Sequence, residues 1–180
     1  MAGFLYRFIT GRSSLKLVAL AGALLFVVLA LSNLVAVGVL MLLSFAVSAV
    51  ISFLRVRSVG IELVTFATVI TGVTHGPVAG AMVGLVLILF HVLAGQFIGE
   101  YVLWVIPGYV IAGFLAPSLG GGIAAAGTTV TLALNVINIM FTLLVGRQNL
   151  SRFLPYALTN VLFNWLLFGA AGQFIVAVLA

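Results

Sequence analysis

Residues 34–54, LVAVGVLMLLSFAVSAVISFL, form an apolar stretch without a single charged side chain. A run of about 20 such residues is what a helix needs to cross the hydrocarbon core of a bilayer. Residues 15–31 before it have the same character, and Ser32-Asn33 is the only polar break between the two. Strands of outer-membrane barrels alternate apolar and polar residues, so these continuous runs exclude that architecture. The stretch therefore predicts membrane-spanning α-helices.

The composition of the whole chain agrees with this reading. Of its 180 residues, 65% are hydrophobic and 5% are charged, and the mean hydropathy is +1.45. Soluble domains carry about 25% charged residues, so this chain has too little polar surface to face water on all sides. It contains no cysteine, which excludes disulfides, thiolate catalysis and cysteine-ligated metals. The predicted fold class is an all-α, polytopic transmembrane helical bundle.

Polar breaks divide the chain into a basic N-terminal lead, residues 1–14, and a single transmembrane domain, residues 15–180. The predicted spans are residues 15–31, 34–54, 61–74, 78–93, 101–115, 123–145 and 153–180, which gives six or seven crossings. The third to fifth spans have about 14–16 residues, fewer than the usual 20. They are therefore expected to be half-helices, or part of a thinned bundle, with their loops buried in protein.

The seven basic residues mark the loops and predict the orientation. They fall into three clusters: Arg7, Arg12 and Lys16; Arg55 and Arg57; Arg147 and Arg152. Two predicted spans separate the first two clusters and four separate the last two, so all seven charges lie on one side. That side is the cytoplasm by the positive-inside bias. The prediction is a multi-pass plasma-membrane protein with a cytoplasmic N-terminus, and the basic charge does not indicate a nucleic-acid partner.

Two polar stripes occur in the last two spans. Thr128, Thr131, Asn135, Asn138 and Thr142 recur every three or four residues, and Tyr156, Asn160 and Asn164 recur every four. Each set lies on one helical face. Buried amides need partners, so the stripes are expected to face each other or a shared cavity. Either they join helices by hydrogen bonds, or the four asparagines bind a small polar molecule.

A loop between the fourth and fifth spans supplies three further candidate binding residues. Gln96, Glu100 and Trp104 combine an amide, an acid and an aromatic ring near two glycines. They form either the rim of a binding site or an interfacial anchor, where aromatic residues concentrate. The other acid, Glu62, is expected to pair with Arg55 and Arg57 at the membrane interface.

No catalytic or metal-binding pattern accompanies these residues. Glu62, Glu100, His75 and His91 lack the spacing of a metal motif such as H-E-x-x-H. No nucleophile, base and orienting group recur together, and no phosphate-binding loop is present. The sequence therefore predicts a protein that is not an enzyme and that has no metal site or cofactor.

Small residues predict where helices approach each other. Gly72, Gly76, Gly80 and Gly84 are spaced four apart, and Ala19 and Ala23 form a similar pair in the first span. Small residues at this spacing allow close helix packing in membranes. Gly76-Pro77 also marks a helix boundary, because proline is favoured in the first turn of a helix.

The run Gly76-Pro77-Val78-Ala79-Gly80-Ala81-Met82-Val83-Gly84 resembles a Gly-Pro-x-x-Gly-x-x-x-Gly turn. This turn is found in the substrate-binding S components of energy-coupling-factor vitamin transporters. The later segments 106–109 and 112–113 are compatible with the same family. In such proteins a small-residue face on an early helix, here Ala19 and Ala23, docks the energising subunit. The family typically has six spans and a cytoplasmic Gly-Pro turn, whereas the charge pattern here places His75-Gly76-Pro77 outside.

The resemblance implies a transporter subunit that binds a small metabolite or vitamin and is energised by a coupling membrane subunit and ATPases. A membrane protein of the bacterial rod-shape system resembles this family in fold without carrying vitamins. The alternative function is therefore a structural membrane subunit of a larger complex, such as envelope, rod-shape-like or respiratory machinery. Both functions have the lipid bilayer as a partner, and only the first needs a small-molecule ligand.

Overall fold

The computed structural model describes residues 35–54, 59–95, 99–145 and 150–179, and its regular structure is entirely helical. The α-helices are α1 (Val35–Leu54), α2 (Val64–His75), α3 (Pro77–Ala94), α4 (Val102–Leu115), α5 (Gly122–Leu144), α6 (Leu150–Leu167) and α7 (Gln173–Leu179). A 3-10 turn, Ala116–Ser118, follows α4, and a π-helical segment, Phe168–Gly172, joins α6 to α7. The predicted all-α bundle is confirmed. The basic lead, the first predicted span, Ala19 and Ala23 lie outside the described residues.

Contacts divide the chain into two units, Met1–Gly38 and Val39–Ala180. Of the first unit, the structure describes only the beginning of α1. The second unit contains the rest of that helix and all the later elements. Every contact described below lies within this second unit.

Four segments are long and apolar enough to cross a membrane: Val35–Leu54, Pro77–Ala94, Gly122–Leu144 and Phe153–Leu179. The segments Val64–His75 and Val102–Ser118 are also apolar but shorter. Large apolar side chains such as Leu103, Leu158 and Phe174 are exposed on the outside of the bundle. Their exposure would be unfavourable in water but not in contact with lipid chains. By the length and composition of its helices, the chain is an α-helical membrane protein. The count of six or seven spans stays a prediction.

Helix α2 is the central element of the bundle. All nine of its residues from Val64 to Gly72 are buried, and it packs against α3, α4 and α5. Its buried residues are apolar or small apart from Thr65, Thr68 and Thr71, and a helix of this composition is stable when other helices surround it. At about 1.5 Å per residue its 12 residues are about 18 Å long, little more than half of an about 30 Å hydrocarbon core.

The two helices α1 and α3 run side by side in the same direction. The rings of Phe45 and Phe90 lie 4.4 Å apart, Ser48 Oγ lies 3.0 Å from His91 Nδ1, and the Ser52 hydroxyl donates to the Ala94 carbonyl. Their C-terminal ends are therefore at one end of the bundle. Because the Gly76-Pro77 turn reverses the chain between α2 and α3, that turn belongs to the opposite end.

Helices α2, α3 and α4 meet at a glycine junction, defined here as Gly72, Gly80 and Gly113. A Cβ atom on Gly80 would lie 2.5 Å from both the Gly72 Cα and the Gly113 carbonyl oxygen. A Cβ atom on nearby Gly84 would lie 2.7 Å from the Tyr109 carbonyl oxygen. Only hydrogen fits at such separations, so these glycines allow the backbones to touch.

Gly76 differs from the rest of the predicted ladder. A Cβ atom there would meet nothing within 4 Å, so the expected packing role of Gly76 is wrong. Its φ of 91° is one that side-chain-bearing residues rarely adopt. Gly76 ends α2 and lets Pro77 begin α3, so it is used for its backbone conformation.

Candidate functional site

The most unusual residue inside the bundle is Glu62, whose carboxylate is only 1% exposed. It lies just before α2, and its Oε2 accepts a hydrogen bond from the Thr65 backbone N–H at 3.0 Å. Its Oε1 accepts from the Thr65 hydroxyl at 2.7 Å. The carboxylate thus caps the first turn of α2, where the helix dipole favours negative charge.

Helix α6 supplies two further donors to the same carboxylate oxygen. Asn160 Nδ2 lies 3.1 Å and Asn164 Nδ2 lies 3.4 Å from Glu62 Oε1. Helix α5 joins through Asn135, whose Nδ2 donates to Asn160 Oδ1 at 2.8 Å. The two polar stripes therefore face each other at Asn135 and Asn160, and Glu62 links them to the beginning of α2. We call Glu62, Thr65, Asn135, Asn160 and Asn164 the carboxylate network.

Tyr109 extends the carboxylate network to α4. Its hydroxyl lies 3.1 Å from Thr65 Oγ1, and the ring is buried. Through these bonds α2, α4, α5 and α6 meet around one acidic side chain. Among the residues that the structure describes, no cationic side chain is bonded to Glu62.

The extended segment before α2 is attached to α6 through its backbone. The Gly60 N–H donates to Thr159 Oγ1 at 2.8 Å, and the Gly60 carbonyl accepts from Asn160 Nδ2 at 2.9 Å. A Cβ atom on Gly60 would lie 2.4 Å from the Tyr156 carbonyl oxygen. Non-helical backbone is tolerated at membrane depth only where protein or trapped water satisfies it. Here side chains of α6 take that role.

The carboxylate network lies deep in the bundle. Asn135 is nine residues from Leu144 at the end of α5, and Asn160 is ten residues from Leu150 at the start of α6. At about 1.5 Å per residue these separations are about 13 Å and about 15 Å, close to half of an about 30 Å hydrocarbon core. Helix α2 begins inside the bundle: Thr68 packs beside Gly84 of the antiparallel helix α3, which places Val64 at the level of Ile88, about 9 Å from the end of α3 at Ala94.

Several buried oxygen atoms in and beside the network have no hydrogen-bond partner: Asn135 Oδ1, Asn164 Oδ1, Thr68 Oγ1 and Thr71 Oγ1. Thr68 and Asn164 are completely buried. Buried polar atoms normally have a partner, and leaving one without costs about 1–3 kcal/mol. The described residues contain no cluster of three or more acidic, histidine or cysteine side chains of the kind that holds a transition metal.

A groove of about 330 Å³ lies between α5 and α6, next to the network. Its walls are Leu132, Val136, Ile139, Leu154, Ala157, Leu158, Val161, Leu162 and Trp165, and its one polar lining residue is Asn135. The groove is large enough for a small molecule. Asn135 therefore connects an apolar surface to the buried carboxylate through Asn160.

The other predicted binding residues lie elsewhere. Glu100 is exposed before α4, Asn138 is half-buried outside the hydrogen-bonded set, and Gln96 lies outside the described residues. Trp104 is 9% exposed and stacks on Phe141, with ring centroids 5.4 Å apart. The structure thus joins three of the seven predicted residues, Asn135, Asn160 and Asn164.

The sequence predicted that Glu62 pairs with Arg55 and Arg57 at the membrane interface, and that pairing stays a prediction; the structure buries Glu62 among Thr65, Asn160 and Asn164. Arg55 and Arg57, its expected partners, lie outside the described residues. The signal that could have identified Glu62 was present, because an acid just before an apolar helix can cap that helix inside the membrane.

Comparison of the chain with protein-family profiles, with curated proteins and with solved structures gives no match.

Proposed function

We propose that this chain is the membrane-embedded, substrate-binding subunit of a transporter for a small metabolite or vitamin, energised by partner subunits. The observation that carries the proposal is the carboxylate network buried inside the bundle, where the short helix α2 begins. Charged side chains inside a bilayer are costly and usually mark a pathway or a ligand site. Transporters often build such sites where a helix is broken or begins within the protein.

The groove between α5 and α6 is the proposed entry for the substrate. Its lining is apolar except for Asn135, whose Oδ1 has no partner. A largely apolar ligand matches that lining. A hydrogen-bond donor on the ligand would reach the buried Asn135 Oδ1 only after a neighbouring side chain moved aside, and would then satisfy the amide oxygen. Hydrogen bonds from Asn135 to Asn160 and from Asn160 to Glu62 would link a bound ligand to the carboxylate.

The proposed partners are a coupling membrane subunit and ATPases. Interhelical hydrogen bonding alone would equally suit the alternative, a structural subunit of a larger membrane complex. The groove opens on the outside of the bundle, where wall residues such as Leu158, Leu162 and Trp165 are exposed, so a substrate, lipid or a partner subunit can occupy it and the groove does not decide between the two functions. Purification from the native membrane distinguishes the two: ATPases and a coupling subunit support transport, and cytoskeletal, envelope or respiratory proteins support the structural role.

Substitution of Asn135 by leucine is expected to weaken substrate binding at least about tenfold, the effect of about 1.4 kcal/mol. The purified protein in detergent is first screened by thermal shift against water-soluble vitamins and small amphiphilic metabolites. The dissociation constant of each stabilising compound is then measured for the wild type and for Asn135→Leu. The expected loss of affinity comes from the missing amide group, because the leucine side chain has a similar size but cannot form hydrogen bonds.

Asn138→Leu is the matched control, since Asn138 occupies the same helix, is half-buried and lies outside the groove lining. Its dissociation constant should stay within about twofold of the wild-type value. Equal weakening by both substitutions, or a screen in which no compound stabilises the protein, would contradict the proposed site.

A further inference from the structure

We propose that the groove between α5 and α6 holds one acyl chain of an anionic phospholipid. The inference goes beyond the proposed function and does not depend on it, because a transporter subunit and a structural subunit could both carry this lipid. Its grounds are the lining of the groove, its dimensions, and the charge of the segment that joins the two helices.

The groove opens on the outside of the bundle, where a membrane protein meets lipid chains. Leu158, Leu162 and Trp165 in its walls are each more than half exposed. The polar lining residue, Asn135, is 6% exposed and already donates a hydrogen bond to Asn160. A hydrocarbon chain, which offers no hydrogen bonds, therefore matches the accessible part of the lining.

The length of the groove is close to the depth of one leaflet. Its wall on α6 runs from Leu154 to Trp165, which is about 16 Å at about 1.5 Å per residue. Half of an about 30 Å hydrocarbon core is about 15 Å. A chain that enters the hydrocarbon beside Leu154 would therefore end beside Trp165.

The width of the groove favours a lipid chain over a partner helix. A volume of about 330 Å³ spread over about 16 Å gives a mean cross-section of about 20 Å². A helix with its side chains is about 10 Å across, which corresponds to about 80 Å². One extended hydrocarbon chain fits the smaller cross-section, whereas a partner helix could insert only single side chains.

The charge at one end of the groove selects the head group. Arg147 and Arg152 lie in the sequence between Leu144, the last residue of α5, and Leu154, the first wall residue of α6, and this stretch contains no acid. Basic residues next to membrane-spanning helices attract anionic lipid head groups. A lipid whose phosphate lies at this end would extend one chain along the groove.

Trp165 makes the groove observable by fluorescence, since the chain has two tryptophans and the other, Trp104, is buried against Phe141. The full chain with Trp104→Phe is reconstituted in phosphatidylcholine vesicles that contain either phosphatidylglycerol or phosphatidylcholine with chains brominated near their ends. Quenching of Trp165 is measured against the brominated fraction. Brominated phosphatidylglycerol is expected to reach half-maximal quenching at about a third, or less, of the fraction that brominated phosphatidylcholine needs.

Two variants in the Trp104→Phe protein separate the contributions of charge and space. Arg147→Gln combined with Arg152→Gln should remove the preference for the anionic lipid. Val136→Phe adds bulk at an exposed wall position of α5. It should weaken the preference, because less room is left for the chain. If the arginine variant fails to insert, the comparison with Val136→Phe still decides the question.

The matched control moves the tryptophan to another lipid-facing helix. Phe114→Trp, combined with Trp104→Phe and Trp165→Phe, places the fluorophore at an exposed position of α4 outside the groove lining, where both lipids should quench it equally. Equal quenching of Trp165 by the two lipids would overturn the inference, and so would the same anionic preference at the control position. Quenching of Trp165 by neither lipid would mean that protein covers the groove, which also refutes a lipid chain.

Discussion

Substitution of Gly113 by alanine is expected to lower the unfolding temperature by about 6–12 °C. The added Cβ would lie 2.3 Å from the carbonyl carbon and oxygen of Gly80 and 2.7 Å from the Ala81 nitrogen. These are backbone atoms, so no side chain can rotate away and α4 must separate from α3. Overpacking costs about 1–3 kcal/mol and occasionally more. We expect about 3 kcal/mol here, and each kcal/mol corresponds to about 2–4 °C in a chain of this size.

The matched control is Gly169→Ala in the π-helical segment, where a Cβ would meet nothing within 4 Å. Alanine is favoured over glycine by about 1 kcal/mol inside a helix, so this variant should be as stable as the wild type or slightly more stable. Both proteins are compared by thermal unfolding in the same detergent. If Gly113→Ala unfolds at the wild-type temperature, the close approach of α3 and α4 is not what holds this junction together.

The glycine junction shows what residue spacing can and cannot predict. Three of the four glycines in the ladder, Gly72, Gly80 and Gly84, lie at close helix contacts, as their four-residue spacing indicated. A Cβ atom on Gly113 would be equally close to its neighbours, but the other glycine of α4, Gly108, lies five residues away, so no four-residue spacing marks this contact. Gly76 has the four-residue spacing but makes no close contact, because it lies in the turn between α2 and α3, where the backbone is not helical.

The two polar stripes were predictable for a similar reason. Amides at helical spacing in an apolar span must turn toward a partner, and the Asn135–Asn160 bond meets that expectation. Asn138 has the same spacing and remains outside the network. A helical face is wide, and the position on it that meets the neighbour depends on how the two helices cross.

Glu62 was the part that sequence could not place. Along the chain its nearest charged residues are Arg55 and Arg57, so pairing at the interface was the local interpretation. Two of the partners that the structure describes, Asn160 and Asn164, are about 100 residues away. Only the entry of the extended segment around Gly60 into the bundle brings them together, and that entry depends on tertiary contacts with α6.

Glu62→Leu is expected to destabilise the bundle by about 2–4 kcal/mol. The substitution removes the acceptor of four hydrogen bonds. Two donors keep a second acceptor, because Asn160 Nδ2 also bonds to Gly60 O and Asn164 Nδ2 to Asn160 O. The Thr65 backbone N–H loses its acceptor, and the Thr65 hydroxyl keeps only Tyr109. Each buried donor without a partner costs about 1–3 kcal/mol, and relief of the buried charge offsets part of the sum.

The informative comparison is with Glu62→Gln, which retains a carbonyl acceptor and the shape of the side chain. We expect its unfolding free energy to fall by less than about 1 kcal/mol, so that the glutamine variant folds while the leucine variant is clearly weakened. Glu100→Leu, at an exposed acid, controls for loss of charge alone. A double-mutant cycle of Glu62→Leu with Asn164→Leu should give a coupling energy of about 0.5–3 kcal/mol, the range for residues that share one network. Simple additivity, or a leucine variant as stable as the wild type, would mean that the carboxylate does not hold α2 and α6 together.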